Sequence, residues 1–269
     1  MFQRKVNITR IKKNQKTDEL DIVLIESPID IILNSEPLVN IICLPKDLKE
    51  MAVGFLYSIG LIESIDDIDN IEVNELEGKI LVDLTNTDEF DKNIFEINPV
   101  GRVIDTTCGI PSPWRSIIKD KLERSVGGKK TQNSFKIKSE VIFSSIIEMQ
   151  KETRLFRETG GCHGAAIFTK DGQLISVKED IGRHNAIDKV IGELLLYKNS
   201  FEDVFLTTTG RLTGDSVLKA VRAKIPIVAS LSAAVESGIR LAFAYGLTLI
   251  GFVRGARMNI YTNPDRIII

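Results

Sequence analysis

Only three cysteines, two histidines and one tryptophan occur in the 269 residues, and no apolar run is long enough to span a bilayer. Stretches such as Ile29–Leu33 and Leu247–Val253 are of core-strand length. The basic segment Met1–Lys16 lacks the apolar core of a secretory signal. An odd cysteine count in such a chain argues against a disulfide framework. Neither Cys-x-x-Cys nor His-x-x-x-His spacing is present, so the usual zinc ligand patterns are missing as well. There is no excess of positive charge: Lys+Arg 35 stands against Asp+Glu 37, a formal net charge of -2. An anionic ligand would have to be held by a local site, and nucleic acid is not an expected partner. With no repeat and no low-complexity tract, the expectation is a cytoplasmic globular protein without a membrane association.

What is present divides the chain into three. Residues 1–97 read as an N-terminal β-rich lobe with one helix. Leu20–Glu26, Ile29–Leu33 and Leu38–Leu44 are strands separated by Ser27-Pro28 and Ser35-Glu36-Pro37. Leu48, Met51, Ala52, Phe55, Leu56 and Ile59 recur at helical spacing, with Asp47 and Glu50 as a capping box and Gly60 at the end. Ile71–Val73 and Lys79–Leu84 give a further strand pair. Residues 98–138 are rich in Gly, Pro, Ser and Thr and are expected to form a mobile loop region. Within it, Trp114, Ile118 and Leu122 suggest a short helix with Ser112 as N-cap and Pro113 at its first position. Residues 139–269 read as an α/β domain. A hairpin turns at Asp171-Gly172, a helical face runs from Ile187 to Leu195, and Val204–Thr208, Ser216–Ala223, Ile227–Ser230, Ala234–Tyr245 and Leu247–Val253 alternate strand and helix. That alternation predicts βαβ crossovers and a parallel sheet covered by helices.

Four places carry chemistry. Cys43 lies within Ile41-Ile42-Cys43-Leu44 and reads as a small buried hydrophobe. Cys108 does not: it sits in Thr106-Thr107-Cys108-Gly109-Ile110-Pro111, with Arg102 and Arg115 nearby. Positive charge and a downstream helix N-terminus favour thiolate, the form that attacks sulfur, although an incidental surface thiol fits the same context. Thr159-Gly160-Gly161-Cys162-His163 and Glu179-Asp180-Ile181-Gly182-Arg183-His184-Asn185-Ala186-Ile187-Asp188-Lys189 both border the hairpin, which could bring His163 near His184. A hydrogen-bonded polar cluster, with His184 as a general acid or base, outranks a metal set of Cys162, His163, Asp180 and His184. Thr207–Thr213 lies between strand and helix and suits a phosphate cradle, or simple capping by Thr213; Ser230-Leu231-Ser232 repeats the arrangement. Finally, Phe252, Val253, Arg254, Gly255, Ala256 and Arg257 follow a strand. They offer two guanidinium forks and a flat ring, or else a solvated strand end.

Together these stretches, with Pro37-Leu38, Gly54-Phe55-Leu56, Thr209-Gly210-Arg211 and Gly251-Phe252-Val253-Arg254, resemble the formate dehydrogenase accessory (FdhD) family over nearly the whole chain. The run Glu179 to Ala186 is the most specific part. The resemblance implies a cytidine-deaminase-like α/β fold with an added lobe, usually as a homodimer. It also implies the role of a sulfurtransferase, which takes sulfur from a cysteine desulfurase and delivers it to bis-molybdopterin guanine dinucleotide before that cofactor enters formate dehydrogenase. The family's reactive cysteine lies in Cys-Gly-x-Cys. Here Cys108-Gly109-Ile110 matches three positions and Pro111 replaces the second cysteine. A persulfide needs only one thiolate, so the chemistry survives, while a dithiol step in this loop does not. Cys162 could substitute as a resolving thiol, at a position where the family does not require cysteine. Two rivals stand beside this reading. A zinc nucleobase deaminase would need His-x-Glu and Pro-Cys-x-x-Cys, which are missing. A non-enzymatic molybdenum-cofactor or guanine-nucleotide binding module would leave Cys108 idle.

Overall fold

A computed structural model describes residues 2–86, 103–104, 135–201 and 203–269. The chain begins with an antiparallel ribbon of β1 (Gln3–Lys12) and β2 (Gln15–Leu24). Next come β3 (Ser27–Leu33), β4 (Glu36–Cys43), helix α1 (Leu48–Ser58), β5 (Ile68–Asn74), β6 (Lys79–Leu84) and the two-residue β7 (Val103–Ile104). Strands β3 to β7 form a five-stranded sheet in the order β5-β6-β3-β4-β7. The second half contains β8 (Ile137–Lys138), α2 (Ser139–Glu152), α3 (Arg154–Thr159), β9 (His163–Thr169), β10 (Leu174–Asp180) and α4 (Arg183–Leu196). It continues with β11 (Val204–Thr208), α5 (Gly214–Arg222), β12 (Ile227–Ser230), α6 (Glu236–Tyr245), β13 (Thr248–Arg254), β14 (Arg257–Ile260) and β15 (Ile267–Ile268). Its main sheet has the order β10-β9-β11-β12-β13-β14.

The mixed α/β class is the one expected, but the parallel pattern is confined to the centre. In the main sheet only β11, β12 and β13 run parallel, and β9, β10 and β14 are antiparallel neighbours. Hairpins at both ends of the sheet need no crossover helix, which is why strand–helix alternation overstated the parallel part. Alternation along β9 divides the interior. Ala165 and Ile167 join the core that holds α1, α4, α5 and the five-stranded sheet, whereas Ala166 and Phe168 face Ile142, Ile146 and Met149 of α2. Residues Leu48 and Met51–Ser58 of α1 are all buried, as befits a helix enclosed between elements rather than lying on a surface.

Several local expectations need correction. Asp47 is the N-cap residue of α1 but adopts a left-handed conformation (φ 53°) and makes no side-chain cap. Instead Asp47 and Glu50, with Glu193 of α4, surround Lys178 at 3.2, 3.5 and 2.7 Å, so a tertiary cation outcompetes the local capping box. Ser27-Pro28 lies inside β3 rather than before it. Pairing with β6 starts only at Asp30, so the missing proline N–H breaks no ladder there. The expected loop region 98–138 contains two short strands, β7 and β8. Ile104 and Ile137 are both buried, and their apolar side chains draw them into the sheets. The rest of that region that bears on chemistry, including Arg102, Cys108, Pro111, Ser112, Trp114 and Arg115, lies outside the described residues. Strand β1 and helices α2 and α3 have no counterpart among the elements expected from the sequence. β1 is mostly solvated and alternates only briefly, over Val6-Asn7-Ile8-Thr9; α2 carries a clearer signal, Ile142, Ile146 and Met149 at helical spacing.

Candidate functional site

The parallel direction of β11, β12 and β13 brings their carboxyl ends to one edge of the sheet, and the antiparallel β9 starts there. His163 opens β9 and is paired in register with Asp180, which closes β10. The polar segments singled out in the sequence therefore meet along this edge, where ligands of open α/β sheets bind.

Asp180 organises one side of it. The side chain is fully buried and receives the backbone N–H of Leu44 (3.1 Å) and Gly182 (2.7 Å), the amide of Asn185 (3.0 Å) and the Lys189 ammonium (2.6 Å). Lys189 in turn donates to the carbonyls of Leu44 (3.1 Å) and Glu179 (3.3 Å), while Asn185 also reaches Ile42 O (3.1 Å). The chain between β10 and α4 is thus tied to the end of β4. Glu179 accepts the N–H groups of Leu155 (3.1 Å) and Phe156 (2.7 Å), supplying a cap for α3 from another element. A second buried pair, Lys219 on Asp188 (2.6 Å), adds Ser58 Oγ (2.7 Å) from α1. Nothing in the local sequence marks these lysines as buried, apart from the apolar neighbours Val217, Leu218, Ala220 and Val221 around Lys219.

Each of the two histidines contacts a threonine of the Thr207–Thr213 turn. His163 Nδ1 lies 3.1 Å from Thr209 Oγ1, and His184 Nε2 lies 3.2 Å from Thr213 Oγ1. Burial, then the charges of Arg183 and Arg211, hold the His163 pKa below the ordinary histidine value; Asp180 opposes them weakly. The Thr207–Thr213 turn spends its donors internally. Thr209 N–H goes to Gly164 O (2.9 Å), Gly210 N–H to Thr208 Oγ1 (3.1 Å), and Thr213 caps α5 through Ser216 N–H (3.4 Å). Ser230 and Ser232 donate their hydroxyls to Gly210 O (2.6 Å) and Thr209 O (2.7 Å). The turn is a braced scaffold, and Thr213 in it fills the capping role.

The segment from Phe252 leaves the same edge. Phe252 adopts a left-handed conformation (φ 53°) at an irregularity in the β13–β14 ladder, and its N–H meets Ser232 O (3.0 Å). Arg254 is exposed, reaches Leu231 O (3.1 Å) and lies 6.0 Å from the Phe252 ring centre. Gly255 and Ala256 form a two-residue hairpin between Arg254 and Arg257, with φ 57° at Gly255. The turn itself therefore favours glycine at this position. Val253 is 1% exposed and packs in the core, while Arg254, Ala256 and Arg257 are exposed.

Two cysteines are described. Cys43 is fully buried and its thiol pKa is raised, by burial first and then by Asp180. Cys162 is buried with Sγ 3.8 Å from Glu179 Oε1; burial first, then Glu179 and Asp180, push its thiol up to about 12. Burial and the neighbouring carboxylates disfavour the thiolate form of both, which argues against the resolving role considered for Cys162. A cavity of about 560 Å³ opens nearby between β2 and the α3–β9 link, lined by Arg4, Leu24, Glu26, Thr159, Gly161 and Ile181 among others. Neither histidine lines it. Among the described residues no helix is long and apolar enough to cross a membrane.

Comparison with known proteins places this geometry. The FdhD/NarQ family model matches residues 24–268. Proteins named sulfur carrier protein FdhD are similar over nearly full length. That from Sulfolobus acidocaldarius is 37% identical over 98% of both chains, and that from Wolinella succinogenes 36% identical over 99% of this chain and 90% of the relative. A crystal structure from Desulfotalea psychrophila, of a protein assigned as a formate dehydrogenase accessory protein, is 28% identical. It covers both chains fully with a TM-score of 0.77.

Proposed function

This chain belongs to the FdhD/NarQ family, and from that premise we propose that it is a sulfur carrier serving formate dehydrogenase, with Cys108 as the carrying residue. The full-length similarity to proteins named as sulfur carriers supports the role. The observation that carries the residue assignment is the burial of Cys43 and Cys162 with raised thiol pKa values, in a chain of three cysteines. In the proposed reaction, Cys108 thiolate attacks the terminal sulfur of a persulfide on a cysteine desulfurase. The S–S bond of the donor breaks, the desulfurase thiolate leaves, and Cys108 holds the sulfur as a persulfide. The acceptor substrate in this reading is bis-molybdopterin guanine dinucleotide, with formate dehydrogenase as the client and a cytoplasmic homodimer as the working form. With Pro111 in place of a second loop cysteine, transfer proceeds from one thiol.

Incubation with a desulfurase and cysteine, followed by intact-mass measurement, tests the assignment. The parent should gain one sulfur atom and Cys108→Ala none, with formate dehydrogenase maturation lost. Uptake by Cys108→Ala that disappears in Cys162→Ala would move the carrier to Cys162.

For the acceptor, Arg254 and Arg257 would grip the anionic nucleotide end, and Phe252 would offer its ring to the base. A charge-assisted contact contributes about 1.5–3 kcal/mol, so removing either arginine should weaken guanosine diphosphate binding roughly tenfold to a hundredfold. The loss should deepen at raised salt. If Arg254→Ala and Arg257→Ala both bind guanosine diphosphate as tightly as the parent, the cofactor site lies elsewhere.

A further inference from the structure

The cavity beside the α3–β9 link runs along a strand edge that no other strand covers among the described residues. Strands β1 and β2 pair with each other and with nothing else in the sheets. Ile25 N–H donates to Phe2 O (3.0 Å), so the backbone groups of Ile25 and, by alternation, of Val23 and Asp21 face β1. Those of Leu20, Ile22 and Leu24 then point outward from the ribbon. The Ile22 N–H is met by the adjoining Asp21 carboxylate (2.9 Å), a side chain standing where a strand carbonyl would. Asp21 and Val23 from one face of β2 line the cavity of about 560 Å³, and so do Ile22 and Leu24 from the other. A void that touches both faces of a strand lies along its edge. Thr159, Gly161 and Ile181 supply wall from outside the ribbon.

We propose that the outer edge of β2 is a docking site for an extended segment of a partner protein, added as a third strand in which basic and apolar residues alternate. The charge of the ribbon selects that partner. β1 carries Arg4, Lys5, Arg10 and Lys12 and no acid, whereas β2 carries Asp18, Glu19 and Asp21 against Lys16. The acidic strand already takes a basic neighbour on its inner side, where Arg10 meets Glu19 (2.7 Å) and Asp21 (3.5 Å). Basic side chains of the incoming segment would continue the Glu19 and Asp21 row, and apolar ones would lie beside Leu20 and Ile22, which are exposed on the opposite face. The outward N–H and C=O groups of Ile22 and Leu24 would supply the main-chain bonds. A slip of one residue would lay the basic side chains on Leu20 and Ile22, so the alternation sets the register. Arg4 lines the cavity as well, but its strand is one step further from the open edge. Two copies of β2 paired edge to edge would set acid against acid, which disfavours self-association here.

A synthetic peptide of alternating lysine and valine tests this on the full chain, by calorimetry and by amide hydrogen exchange. Bound peptide should slow exchange of the Leu24 N–H severalfold, while the Val23 N–H, which already faces β1, should change less. A peptide of alternating glutamate and valine should bind severalfold more weakly, and Asp21→Lys should narrow or reverse that preference. Gly161→Phe supplies an independent arm. A Cβ there meets ordinary contacts, 3.4 Å from Thr159 Oγ1 and 3.6 Å from Leu24 Cδ1, so the side chain can be built into the cavity wall. With its thermal midpoint unchanged, this variant should lose measurable affinity for the lysine–valine peptide. Leu24 exchange indifferent to saturating peptide, equal affinity for both peptides, or unchanged affinity in Gly161→Phe overturns the proposal. So does Leu24 protection that rises with protein concentration alone, which would assign the edge to a second copy of this chain. None of these readouts involves sulfur loading, so their failure leaves the Cys108 assignment standing.

Discussion

Gly54→Ala should destabilise the protein by about 3 kcal/mol or more, although alanine is the better helix former by about 1 kcal/mol. The reason lies in the crossing of α1 and α4. A Cβ on Gly54 would stand 1.8 Å from Asp188 O, and one on Gly192 would stand 1.9 Å from Glu50 O. These are backbone atoms, which cannot rotate away as a side-chain tip can. The two helices would have to separate and open contacts throughout the core they share with both sheets. Marginal domains hold only about 5–15 kcal/mol in total, so Gly54→Ala with Gly192→Ala should not yield folded protein at all. Urea unfolding of each single variant measures the effect. A midpoint at or above that of the parent would show that helix propensity wins and that the crossing relaxes without cost.

Lys189→Met should be destabilising by roughly 3–5 kcal/mol, because it strands a buried carboxylate. Asp180 would keep three neutral donors but lose the Lys189 cation, and the carbonyls of Leu44 and Glu179 would lose the same donor. Combining it with Asp180→Asn should recover part of the loss. The double variant should be at least about 1 kcal/mol more stable than the sum of the single changes predicts, measured as a double-mutant cycle by urea unfolding. Strict additivity would mean that the pair is not energetically coupled.

Much of the frame was legible. β11 and β12 coincide with the strands read from their β-branched runs, and the hairpin at Asp171-Gly172 joins β9 to β10 as expected. The Glu179–Lys189 run stands out as a unit in the sequence, yet its inner workings do not. Asp180 has the look of a pocket residue and is a buried structural anion, and Lys189 has the look of a helix surface residue and is fully buried. Cys162, beside two glycines and a histidine, reads as chemically available and has its thiol turned to Glu179.

The difference has a physical origin. Sequence by itself determined what depends on near neighbours: strand and helix periods, turn residues, the family-specific run, and the identity of the groups able to carry charge or sulfur. Tertiary structure decided which of those groups are desolvated and by whom they are paired. The Leu44 N–H that meets Asp180 lies 136 positions away, and the carbonyl that forbids a side chain at Gly54 belongs to a helix in the other half of the chain. Desolvation and Coulomb energy follow distance in space, so a carboxylate, a thiol or a glycine acquires its role only when the two sheets close on α1 and α4.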